Sequence, residues 1–364
     1  MKNFTTLFFL FITTILSAQN EPPQISNLNI TLNGDETLTI NYDLTDPEND
    51  DAFVTFQVSE NGGNSFQINT DEATGDVNTL LSNGTNKTIV WDYANVLTTS
   101  DNYVLKLVAD DLQIIDIQSI INLVDSNNLK IDLAFIEGIR HRNTGAAHLQ
   151  EVRNLLNQRF LNHNFDTEKH EFDFGTYIGE NFIGTHLGTT TDEEIYILDG
   201  HYDGVDDSPA ADDNGTAVAG MLEAAQILSN YNFKKTIRFI GFDLEEAGLR
   251  GSQAYVTDEI PEEENIAGVL NFEMIGYATE EPNTQDLPTG FSLLFPDAYT
   301  EVEGDDFRGN FIANVGVVNQ NGWEQAYAYA AATYVPNLRV VTFAAPSNWL
   351  TLTPDLGRSD HAPF

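Results

Sequence analysis

The sequence predicts two folded units in series: a small all-β sandwich, then an α/β domain built on a twisted, mostly parallel sheet flanked by helices. Three observations predict it. Between Pro22 and about Asp111 the chain runs in short alternating strands, ISNLNITL, LTINYDL, FVTFQVS, KTIVWDY and YVLKLVAD, separated by Asn, Gly, Asp and Pro clusters. Beyond about residue 130 helical spacing takes over, with Leu149, Val152, Leu156 and Phe160 on one face. Compact apolar strands follow, IYIL (195–198), TIRFIGF (236–242), GVLNF (268–272) and RVVTF (339–343), the first three separated by helical patterns. Strands apolar on both faces that alternate with helices belong to a mainly parallel sheet covered on both sides.

Composition narrows the function classes. A chain of 364 residues exceeds one typical core, and 41% hydrophobic with 11% aromatic residues is enough to bury two, which excludes wholesale disorder. Sixteen Lys and Arg against fifty-six Asp and Glu leave a formal charge of −40, so neither nucleic acid nor an anionic membrane is an expected partner. A solvated acidic surface accounts for most of that charge, and cation binding is open to the rest. There is no cysteine. Disulfides and thiol catalysis are thereby excluded, and any metal site must draw on His, Asp and Glu.

Taken in order, residues 1–18 read as an export signal: Lys2, a mostly apolar run, and a small-residue cleavage point at Ser17-Ala18. The run is too short for a comfortable membrane span and no later segment is long and apolar enough for one, so a secreted, periplasmic or cell-surface protein of bacterial type is expected. Residues 19–115 form the β-sandwich. The loop DLTDPENDDAF within it is rich in oxygen donors, but it lacks a Ca²⁺ ligand spacing and reads as a solvated turn. Residues 116–130 are a connection with room for one last strand, QIIDIQSIINLV. The α/β domain occupies 131–364, where Val218, Met221, Leu222, Ala225 and Leu228 give one helix its buried stripe.

Acids and histidines punctuate the strand ends of this domain. In DGHYDGVDDSPAADD, one histidine and six aspartates crowd fifteen residues (199–213). Carboxylates packed that closely need open solvent or a cation. His201 and Asp203 project to the same side of an extended segment, the arrangement that orients a metal-binding imidazole, although His-x-acid also arises by chance. Asp212-Asp213-Asn214 precedes a helix, and one cap would need only one of the three. TIRFIGF runs into Asp243-Leu244-Glu245-Glu246, whose adjacent carboxylates point different ways: one can hold a metal while the other faces a water. GVLNF ends at Glu273, which would be costly to bury unpaired. Each group has a bland reading as a cap or a solvated strand end. Together, at successive ends of one sheet, they converge on a single crevice, where ligands of α/β folds gather. One His with several carboxylates and no thiol suits Zn²⁺, with Mn²⁺ or Co²⁺ as alternatives.

The ordered set HYD, DDNG, EEAGLRGS, NFEMIGY and RSDHAPF resembles the secreted zinc aminopeptidases of peptidase family M28, over roughly residues 130 to 364. The resemblance implies a single α/β domain of zinc-peptidase type with two neighbouring zinc ions. It implies His201, Asp213, Glu246 and Glu273 as metal ligands, Asp213 bridging, Glu245 as general base, and Asp203 orienting His201. Asp360 and His361 would line or support the substrate pocket. Glu273 stands where the best-known members have aspartate. The family's last histidine ligand would lie beyond Phe364, so the resemblance also implies a domain incomplete at its C-terminus. The expected activity is hydrolysis of N-terminal peptide bonds, on peptides or proteins with free N-termini. Glutaminyl cyclase, carboxypeptidase or dipeptidase activity on the same fold, and a catalytically inactive binding module, are the rival readings. The first unit resembles immunoglobulin-like or fibronectin-type modules through SENGGNSF and GTNKTIVWDYA, which implies a spacer or an adhesion role.

Overall fold

The structure is a computed structural model that describes residues 22–364 apart from 61–65, 67, 95, 98–102, 113–115, 190–193, 261–263, 319–321 and 347. The expected export signal at 1–18 and most of SENGGNSF lie outside the described residues. Among the described residues no helix is long and apolar enough to cross a membrane.

The first unit comprises β1 (Gln24–Leu32), β2 (Thr37–Thr45), β3 (Ala52–Ser59), β4 (Thr74–Gly75), β5 (Thr79–Leu81), β6 (Gly84–Asp92) and β7 (Val104–Asp110). They form two sheets, β1-β2-β6-β4 and β5-β3-β7. Alternation selects the core: Leu38, Ile40, Tyr42 and Leu44 of β2 and Ile89 and Trp91 of β6 meet Ala52, Val54, Phe56 and Val58 of β3. The loop expected to be a solvated turn exposes Pro47, Asn49 and Asp51 and is anchored at one end by Asp46. Asp46 is only 2% exposed and its Oδ1 accepts from Asp50 N, while its own N donates to Asn83 Oδ1.

The connection at 116–130 carries no strand where one was allowed for. Residues α1 (Ile117–Ile121) are helical, capped by Asp116 accepting from Gln118 N, and α2 (Ser126–Ile136) begins within the same stretch. Leu129 and Leu133 of α2 pack on the core of the second unit, so the apolar spacing there serves a helix face.

In the second unit, α3 (Ala146–Asn162) is followed by β8 (Asp166–Phe174), β9 (Tyr177–His186) and β10 (Glu194–His201). Then come α4 (Ala217–Leu228), β11 (Thr236–Phe242), α5 (Arg250–Asp258) and β12 (Asn265–Asn271). The sheet order is β12-β10-β11-β9-β8. The β10 pairs with β11 and β12 are parallel, and those of β9 with β11 and β8 are antiparallel, so only β9 runs against the other four. Leu149, Val152, Leu156 and Phe160 of α3 and Val218, Met221, Leu222 and Ala225 of α4 bury one face against Phe182, Leu198 and Phe239. Ile183, Ile195, Ile197, Ile240 and Phe242 bury the other against Tyr255 of α5.

RVVTF lies outside this sheet. After α6 (Phe291–Leu294) and α7 (Pro296–Gly304), β13 (Ile312–Val317) pairs in parallel with β14 (Val340–Ala345), with α8 (Trp323–Tyr334) between them. Phe291, Phe295, Val302, Val341 and Phe343 give this pair a core of its own. The sandwich docks at the far end of the main sheet. Lys106 Nζ donates to the Leu187 and Gly188 carbonyls and Gln57 Nε2 to that of Thr189, beside the start of β11, while the parallel strands end at the opposite edge.

Candidate metal centre

Register brings the acids together. In the parallel ladder His201 pairs with Phe242 and Asp199 with Asn271, so the residues after β10, β11 and β12 emerge at one edge. Tight turns follow at once: Leu244 and Met274 are non-glycine residues with φ of 57° and 47°. Left-handed positions of this kind cost on the order of 1–3 kcal/mol and cluster at functional sites. Between β10 and α4 the chain passes through Ala210, also left-handed, into a turn over Ala211–Thr216 in which the Asp213–Asn214 peptide is cis.

His201 is 1% exposed, and four carboxylates surround its ring. Nδ1 stands 3.4 Å from Asp203 Oδ1; Nε2 stands 3.3 Å from Asp213 Oδ1, 3.5 Å from Glu273 Oε2 and 3.8 Å from Glu245 Oε2. Asp203 Oδ1 also accepts from Glu245 N at 3.0 Å, tying the ends of β10 and β11 together. Nε2 is thereby the nitrogen left to face a ligand. Among the described residues, His201, Glu245 and Glu273 are the three His, Cys, Asp or Glu side chains whose ligand atoms all lie within 4.8 Å of one another. No Lys or Arg among the described residues forms an ion pair with Asp203, Asp213, Glu245, Glu246 or Glu273.

The electrostatics describe a site short of a cation. Burial disfavours a charge on His201, but Asp203, Asp213 and Glu273 outweigh it and hold the imidazolium well above its usual pKa. Burial, reinforced by Asp360, Glu273 and Asp203 and opposed by His201, pushes Glu245 up to about 8. Glu246 is lifted to about 7 by loss of water around its carboxyl and then by Asp213, although the residue as a whole is exposed. Asp213 is held low, first by its hydrogen bond with His201. A proton on the imidazole therefore occupies the place that a divalent ion would take. One buried imidazole and several carboxylates, with no thiol and no Lys or Arg paired to them among the described residues, fit zinc.

Asp360 and His361, expected to line or support the pocket, sit behind the end of β12. Asp360 has no exposed surface, and burial raises it to about 8 against the lowering influence of His201 and Ser252. His361 has both ring nitrogens engaged, Nδ1 with Asn271 Oδ1 and Nε2 with the Leu356 carbonyl, and it pins the 354–361 segment against the end of β12. Asp243 and Asp212 are structural. Asp243 accepts from Arg153 Nη2 at 2.6 Å, and Asp212 Oδ1 accepts from Gly276 N at 2.9 Å.

Other contributors had no role assigned from the sequence. Asn214 is fully buried and donates to the Phe272 carbonyl at 2.9 Å and to Glu273 Oε2 at 3.3 Å. Ser359 donates to the same Glu273 oxygen at 2.7 Å. Asp199, raised to about 7 chiefly by complete burial, accepts from Asn271 Nδ2. An acid inside IYILDGH and a serine inside RSDHAPF were the available signals.

Residues 181–303 match the family profile described as Peptidase family M28. This segment of the chain is similar to peptidase family M28. The matched segment contains His201, Asp203, Asp213, Glu245, Glu246 and Glu273. Aminopeptidase YwaD of Bacillus subtilis (strain 168) is 42% identical over 90 residues, which cover 24% of this chain and 20% of that protein. A probable zinc metalloprotease of Pyrenophora tritici-repentis is 27% identical over 200 residues, covering 47% of this chain and 46% of the relative. The matches thus span less than half the length of these curated relatives. Among solved structures, the LapA aminopeptidase of Legionella pneumophila aligns at a TM-score of 0.47 with 20% identity, covering 69% of this chain and 63% of that one.

Proposed function

We propose that the protein is a metal-dependent aminopeptidase that removes residues from the free N-termini of exported or extracellular peptides. The convergence of Glu245 and Glu273 on the buried Nε2 of His201, with Asp203 behind the ring, carries this reading. The M28 match over the same residues supports it.

His201, Asp213, Glu246 and Glu273 would hold zinc. When bound, zinc supplies a Lewis acid that acidifies water and polarises a carbonyl. Asp203 keeps the proton of His201 on Nδ1, so that Nε2 presents its lone pair. Glu245 takes the proton of the attacking water and returns it to the leaving amine; its carboxylate, 3.8 Å from His201 Nε2 at the end of β11, is placed for that transfer. The carboxylates beside the crevice favour a substrate's α-ammonium group.

The test uses paired short peptides with free and acetylated N-termini, incubated with the zinc-supplemented protein and followed by mass spectrometry. Loss of one residue from the free peptide alone, abolished by a chelator, is the expected result. Cleavage of both peptides, or release from the C-terminus, would replace this reading with another peptidase activity. Cyclisation of an N-terminal glutamine without peptide cleavage would replace it with glutaminyl cyclase.

A further inference from the structure

Arg140 is a buried cation that the chemistry above leaves unused. It has no exposed surface, and its guanidinium donates five hydrogen bonds, all to backbone carbonyls. Two acceptors, Ile136 and Gly138, belong to the end of α2 and the residues after it. The other three lie in the connection after β10: Nε donates to Tyr202 O at 2.8 Å, Nη1 to Pro209 O at 3.2 Å and Nη2 to Ala210 O at 2.8 Å. Two backbone bonds join the same segments, Gly138 N to Pro209 O at 2.7 Å and Gly204 N to Arg140 O at 3.3 Å.

Those acceptors bracket the metal centre. Tyr202 immediately precedes Asp203, and Ala210 stands three residues before Asp213, whereas residues 202–210 have neither helix nor strand. Asp203 and Asp213 approach opposite nitrogens of His201 from the two ends of this loop. Their mutual repulsion would spread an untethered loop. Among the described residues Arg140 forms no ion pair. Asp203, Asp213 and Glu246 act on its charge without pairing with it, and a buried guanidinium held that way is a poor device for stability alone, since apolar packing does that better. Its rigid fork suits the fixing of several carbonyls in one plane, which the point charge of a lysine cannot reproduce.

We propose that Arg140 is a positioning residue for the metal centre: its fork holds Tyr202, Pro209 and Ala210 so that Asp203 and Asp213 both face His201. The proposal rests on the metal-centre reading above. Arg140→Lys keeps the charge and most of the length but loses the fork; Arg140→Met removes both. Two measurements on the full chain decide the matter. The first is hydrogen exchange by mass spectrometry on zinc-free protein, where both variants are expected to exchange at least tenfold faster over 202–216 while β11 and the sandwich keep their rates. The second is zinc affinity by competition with a chromogenic chelator, expected to fall about 10- to 100-fold in both variants. An Arg140→Lys protein that folds, exchanges and binds zinc like the unmodified chain would overturn the proposal. So would loss of folding in both variants, which would make Arg140 a residue of global stability. If the unmodified chain binds no zinc, the metal-centre reading fails, and the exchange comparison still decides the role of Arg140.

Discussion

Ser359 donates its hydroxyl to Glu273 Oε2 at 2.7 Å, the same oxygen that stands 3.5 Å from His201 Nε2. A residue from the 354–361 segment therefore aims a carboxylate from the end of β12. Glu273 is one methylene longer than the aspartate that the family resemblance implied, and a longer side chain needs more support to hold one direction. Ser359 and Asn214 supply it.

Ser359→Ala is expected to weaken zinc binding by about tenfold, the lower end of the range for partners that orient metal ligands. Ser359→Thr, which keeps the hydroxyl, should restore most of it. Titration against a chelator of known affinity measures both. Equal affinity in all three proteins would show that Glu273 is held without Ser359.

Glu245 and Glu246 are neighbours with different expected roles. Glu245→Gln should retain zinc and lose about 10²- to 10⁴-fold in kcat, the range for removing a general base. Glu246→Gln should instead lower zinc affinity. Metal content and steady-state kinetics on the two variants separate these outcomes, and a reversed pattern would exchange the roles.

Acid should loosen the α/β domain through His170. This ring is 4% exposed, and its Nδ1 accepts from Asn181 Nδ2, whose Oδ1 in turn accepts from Asp243 N. The Asp243 N–H fixes the amide orientation, so Nδ1 must stay unprotonated. Burial lowers the His170 pKa below its usual value despite Asp258 and Glu168. With the folded pKa depressed, the unfolded chain binds more protons as the pH falls below about 6.5, so the stability present above that pH is lost on acidification. Each tenfold suppression of protonation amounts to about 1.4 kcal/mol. His170→Gln, which keeps an acceptor, should show a smaller drop in Tm between pH 7.5 and 5.5 than the unmodified protein. Identical drops would place the acid sensitivity elsewhere.

Much of this arrangement was legible because it is local. His201 and Asp203 fall on one side of an extended segment, and β10, β11 and β12 were visible as apolar runs ending in acids. The sandwich was legible for the same reason, since its alternating residues are the ones that face inward. The antiparallel pair β8 and β9 was not, because β8 is an edge strand whose sequence DTEKHEFDF is mostly exposed and polar, leaving little apolar alternation to detect. RVVTF reads like a sheet strand but pairs with β13, and nothing short-range distinguishes the two sheets. Arg140, Asn214 and Ser359 act on groups 58 to 86 positions away or on carbonyls of another segment. Such roles depend on the fold closing first. Asp360 shows the converse: its motif was visible, yet its complete burial depends on how the 354–361 segment packs.

The most direct test of the account is diffraction from zinc-soaked crystals, with anomalous difference maps recorded on both sides of the zinc absorption edge. The account predicts a peak about 2.0–2.2 Å from His201 Nε2 and from oxygens of Asp213 and Glu273. A second peak between Asp213 and Glu246 would complete the pair. Maps with no peak at His201, in crystals that show zinc elsewhere, would contradict the claim that these strand ends form a metal centre.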